Sequence, residues 1–144
     1  MAHAHLLLML AALFAQQPAA APATRPALDY DFFRTRVQPI FLAKRPGHAR
    51  CYTCHRGGAG VRYLQPLAPG ATAWDEEQSQ KNFQAVSRLV VAGDPMQSML
   101  LRHPLAEKAG GDRFHEGGKH FTSQDNPEWQ TFFAWVRGDT LSSR

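Results

Sequence analysis

Both cysteines of this 144-residue chain stand in one run, Cys51-Tyr52-Thr53-Cys54-His55, so neither has any other thiol in the chain to pair with. The pair must act as a unit. A disulfide across two intervening residues closes too short a loop to remove much unfolded-state entropy. A thioredoxin-like redox pair needs a strand before it and a helix after it in a βαβ unit, but Arg45-Pro46-Gly47 precedes the run and Arg56-Gly57-Gly58-Ala59-Gly60 follows it. Structural zinc offers Cys51, Cys54, His115 and His120, with C-x2-C and H-x4-H spacings that suit zinc. The two halves lie about 60 residues apart, however, where a finger has roughly 12 to 15. Zinc also gives no reason for His55 to follow Cys54 directly.

One covalently attached haem c accounts for that order. The two thiols add to the two vinyl groups, and the imidazole of the next residue falls beneath the iron as proximal ligand. Cys51 and Cys54 are thus expected to bind the cofactor and His55 to hold the iron. The N-terminus agrees with this chemistry. An apolar run from Leu6 to Ala15, small residues and Pro18 give residues 1–21 the form of a secretory signal peptide, although no Lys or Arg precedes the run. The run is short of the roughly 20 apolar residues of a membrane helix, so no stable span is expected in the mature chain. Haem is attached outside the bacterial cytoplasm, where thiols must be kept from forming disulfides, and a periplasmic or otherwise exported location follows. Residues 22–28 read as a flexible leader, and residues 29–144 as the haem domain.

The first 21 residues carry no charge, so the net charge of +4 belongs to the mature chain and favours acidic redox partners. Its basic residues are scattered, which argues against nucleic acid. Helical periodicity appears over 29–44 through Phe32, Phe33, Val37, Ile40 and Phe41, with a kink or early stop expected at Pro39. It returns over 79–92 and in a short turn over 96–102. The clearest helix is the last: Asn126 as N-cap, Pro127 at the first position, an apolar stripe of Trp129, Phe132, Phe133 and Val136, and Gly138 as the stop. No strand alternation is visible. The expected class is all-α, with few helices and long loops around one haem.

This order resembles small monohaem cytochrome c domains. Val37-Gln38-Pro39-Ile40-Phe41, Val91-Ala92-Gly93-Asp94-Pro95 with Ser98-Met99-Leu100, and Trp135-Val136-Arg137-Gly138 are similar to planctomycete-type cytochrome c domains. The resemblance implies that the first and last helices cross beside the haem, and that a distal ligand lies shortly before the last helix. Many family members offer methionine there, but this chain has none after Met99. Its corresponding stretch, 110–121, carries His115 and His120 among glycines that let a loop approach a flat cofactor. His115 ranks first as distal ligand, with Phe114 beside it to pack on the porphyrin, and His120 second. Met96 and Met99 are weaker candidates in a segment read as helix and core. His48 and His103 read as surface histidines.

Two imidazoles on iron leave a lower potential than a thioether would. With both axial positions filled, the expected function is one-electron transfer, and no acid–base or nucleophile set suggests an enzyme. The alternatives are small-ligand sensing at a displaceable sixth position, or service as the haem subunit of a larger periplasmic oxidoreductase.

Overall fold

The computed structural model describes residues 24–143; the expected signal peptide and residues 22 and 23 of the leader lie outside them. Among the described residues there are five α-helices, short 3-10 turns and no strand, and four isolated β-bridges pin loops together. The all-α class is as expected. No helix among these residues is long and apolar enough to cross a membrane.

The first helical segment starts as α1 (Tyr30–Phe32), where the Asp29 carboxylate accepts from the Phe32 amide at 2.5 Å. It runs unbroken into a π-helical stretch (Phe33–Val37) and a 3-10 stretch (Gln38–Leu42). Pro39 is the physical reason. It has no N–H to give the carbonyl one α-turn earlier, and its ring would clash there. A widened turn, in which the Gln38 amide reaches the Phe33 carbonyl, relieves both problems. The chain changes pitch at Pro39 instead of stopping, and Phe32, Phe33, Val37, Ile40 and Phe41 all stay buried.

The paired cysteines form a helical turn of their own, α2 (Cys51–His55). The next helix, α3 (Glu76–Ser87), begins three residues before the expected start, because Asp75 and Gln78 cap it reciprocally. The Gln78 amide donates to the Asp75 carboxylate at 2.8 Å, and the Asp75 amide to the Gln78 side chain at 3.2 Å. It also ends earlier than expected, at Ser87, since Leu89 leaves the helix to accept from the Leu100 amide at 3.2 Å. Asp75→Ala is expected to lower stability by about 1 kcal/mol, with Asp75→Ser largely restoring it. Urea titration of the three proteins checks this; coincident curves would remove the capping box from the account.

The turn expected over 96–102 divides into a 3-10 turn (Pro95–Gln97) and α4 (Met99–Arg102). Buried Ser98 separates them by accepting from the Val91 amide and donating to the Asp94 carbonyl, each at 2.9 Å. Met99, expected in the core, is 46% exposed.

The last helix, α5 (Pro127–Arg137), follows its signals closely, with Asn126 capping the amides of Glu128 and Trp129 and Gly138 ending it at φ 106°. It packs on the first segment through Phe33 and Trp135, with ring centroids 5.2 Å apart, and Phe41 and Phe132, at 5.7 Å. Phe83 of α3 closes on Phe33 at 5.4 Å. Pro26 of the leader, itself exposed, lies beside Gly138, where an added Cβ would stand 2.7 Å from it.

Candidate functional site

Cys51 and Cys54 lie one helical turn apart on α2, both free thiols, Cys51 half-buried and Cys54 exposed. So short a helix needs outside support. Tyr52 provides it, with its hydroxyl accepting from the Leu67 amide at 2.8 Å and its ring set edge-on to buried Trp74 at 5.7 Å.

His55 closes the turn, and its Nδ1 lies 2.7 Å from the Val61 carbonyl oxygen. A carbonyl can only accept, so Nδ1 carries the proton and Nε2 keeps its lone pair. The loop that presents Val61 is tightly tied: the amides of Gly57 and Gly58 both donate to the Leu64 carbonyl, at 2.8 and 3.0 Å, and the Leu64 amide returns to His55 at 2.9 Å. Gly58 and Gly60 take positive φ in this loop, at 78° and 58°. Tyr63 lies against the imidazole, with centroids 4.7 Å apart. Burial pushes the His55 pKa below the usual imidazole value; the Val61 bond opposes this, and His115 and His103 add to it. A lowered value keeps the ring neutral near neutral pH.

Four more histidines gather here. The His115 ring lies 6.2 Å from that of His55 at an interplanar angle of 17°. Its Nδ1 is 2.6 Å from the Gly118 carbonyl, which fixes the same tautomer as in His55. His103 stands 6.2 Å from the other histidine, His115, and its Nδ1 bonds the Asp112 carboxylate, which Arg102 also holds. His120 lies 5.9 Å from His115, and His48 lies 4.9 Å from His120. The Nδ1 of His120 is buried without a partner. Burial, then the Arg45 guanidinium and the neighbouring histidines, push its pKa down to about 4.

The loop bearing His115 and His120 is closed at its base, where the Ala106 amide donates to Phe121 at 2.8 Å and the Phe121 amide to Pro104 at 3.0 Å. Lys119 crosses it, its ammonium donating to the carbonyls of His103 and Asp112. Phe114, expected to pack on a flat cofactor, is 74% exposed.

No family model, curated protein or solved structure matches this chain. The chemistry rests on the residues themselves. Cys51, Cys54 and His55 share α2; His115 comes up beside His55, and His120 beside His115. Among the described residues no three His, Cys, Asp or Glu side chains form a group that could hold a metal ion. The zinc set of Cys51, Cys54, His115 and His120 is therefore not assembled.

Sequence reasoning missed several neighbours. His48 is exposed as expected and His103 partly so, yet both also join the histidine cluster. Val61 acts through its backbone, which no side-chain pattern reveals. Tyr63 carries no sequence signal that would place it against His55. Arg45 is the least legible: its guanidinium spans Glu128, the Ile40 carbonyl and the Cys51 sulfur.

Proposed function

We propose that this chain is an exported c-type cytochrome, cytochrome c-like in fold, that carries one haem c on Cys51 and Cys54 and exchanges single electrons with redox proteins. In this reading His55 is the proximal and His115 the distal iron ligand. The observation that carries it is the matched state of these two imidazoles. Each gives its Nδ1 proton to a backbone carbonyl and keeps Nε2 free, the outer-shell arrangement that orients metal-binding histidines and raises their basicity. The two rings are also neighbours, with centroids 6.2 Å apart and planes 17° apart.

When bound, the haem would supply a one-electron iron couple. The remaining work falls to the chain. α2 presents both thiols on one short turn, the Val61 carbonyl and the Tyr63 ring fix the His55 plane, and the Gly118 carbonyl fixes His115. The domain would use these groups to orient the cofactor and to keep substrates from the iron, which suits a carrier and not an enzyme.

Expression with the haem-attachment machinery tests the reading. The parent protein is expected to keep its haem through acid–acetone extraction and denaturing electrophoresis, and Cys51→Ala/Cys54→Ala to lose all covalent haem. A parent that releases its haem under the same treatment would end the proposal.

A further inference from the structure

Arg45 is far more tightly engaged than a loop arginine needs to be. Its side chain is 10% exposed. Nε donates to Glu128 Oε2 at 2.7 Å, and Nη2 lies 2.6 Å from the same oxygen and 3.1 Å from the Ile40 carbonyl. The guanidinium also lies over the ring of buried Phe121, 5.3 Å from its centroid. Nη1 points to the Cys51 sulfur at 3.7 Å. Three of the four attachments hold the group in place, and the fourth directs an N–H at a sulfur.

We propose that Arg45 sets the electronic environment of the Cys51 sulfur, with Glu128 as its counterweight, and through that sulfur tunes the potential of the haem; this rests on the function proposed above.

The two charges act on the sulfur in opposite senses. A cation beside a half-buried sulfur favours negative charge on it and, once the thioether has formed, favours the added electron of the reduced iron. Glu128 stands behind the guanidinium and weakens that effect. The same opposition acts on the free thiol: burial raises the Cys51 pKa, Arg45 lowers it by charge and by hydrogen bond, and Glu128 raises it. Hydrogen bonding to sulfur and local charge are established levers on haem and cluster potentials. Tyr63 is the other titratable neighbour of Cys51, and burial raises its own pKa, so it stays neutral.

Arg45→Met and Glu128→Gln break the same ion pair, so a purely structural role would move both variants alike. A tuning role moves them apart. In Arg45→Met the haem potential is expected to fall below that of the parent. In the haem-free, reduced protein, iodoacetamide should then label Cys51 about threefold or more slowly, measured against exposed Cys54 in the same molecule. In Glu128→Gln the potential is expected to rise and Cys51 labelling to quicken. Arg45→Lys, which keeps the charge but not the fork, should fall between the parent and Arg45→Met. Shifts in the same direction in both variants, or no shift in either, would overturn the proposal. If Arg45→Met fails to fold by circular dichroism, Glu128→Gln and Arg45→Lys decide it. The labelling arm needs no haem, so a parent that retains none would defeat the cytochrome reading while Cys51 labelling still tests Arg45.

Discussion

Replacing Trp135 with alanine is expected to remove about 4 kcal/mol of stability, enough to leave much of the haem-free domain unfolded. Trp135 is fully buried, its ring meets Phe33 at 5.2 Å and Phe83 at 6.1 Å, and its indole N–H donates to the Asp29 carbonyl at 2.8 Å. The side chain thus joins α5, α3 and the N-cap of the first segment at one point. Trp135→Phe keeps most of the packing and loses the hydrogen bond, so about 1 kcal/mol is expected. Because the Asp29 carbonyl also accepts from the Phe33 amide at 3.1 Å, it is not orphaned in either variant. Chemical denaturation followed by fluorescence and circular dichroism measures both; a loss below about 2 kcal/mol for alanine would mean that the helices do not depend on this contact.

In the proposed cytochrome, His115→Ala is expected to open the sixth iron position. The oxidised protein should change from a low-spin to a high-spin spectrum, the reduced protein should bind carbon monoxide promptly, and added imidazole should restore the parent spectrum. His120→Ala should do none of these. The contrast follows from the two rings: His115 has its Nδ1 committed to Gly118 and faces His55 at 6.2 Å, whereas His120 packs against His48 and has a buried Nδ1 without a partner. A His120→Ala protein that gains carbon monoxide binding while His115→Ala does not would exchange the two assignments. Prompt carbon monoxide binding by the parent would favour the sensing alternative over electron transfer.

The helical frame was largely legible in the sequence because periodicity and end signals are local. Asn126, Pro127 and Gly138 mark both ends of α5, and all five apolar residues of the first stripe are buried. The departures are local as well. A reciprocal Asp75–Gln78 cap outweighed the apolar pattern in starting α3. Pro39 was absorbed by a wider turn, which conserves the buried face at the expense of regular pitch. Trp135 lies outside the stripe of Trp129, Phe132, Phe133 and Val136, yet it makes the longest reach across the core, because an indole can cross to the neighbouring segment's cap.

The site was less legible. The Cys51 to His55 run announces itself through spacing, and the glycines near His115 and His120 suggest a loop that can approach a flat group. What the spacing cannot reveal is which ring nitrogen is free, since that depends on the carbonyls of Val61 and Gly118. Nor does it show that Arg45, six residues before Cys51, would turn back to its sulfur while gripping a carboxylate 83 residues further along the chain.

The paired backbone bonds between residues 104–106 and Phe121 give the histidine loop a property of its own. A segment whose two ends already meet can vary in length at small entropic expense, since loop closure grows only slowly with loop size. The helices that bury Trp129 and Trp135 need not register such a change. The stretch between Leu105 and Phe121 is in this sense a replaceable cassette: in the proposed cytochrome, exchanging it for one that carries methionine would alter the second iron ligand while leaving α2 and the helical frame as they are.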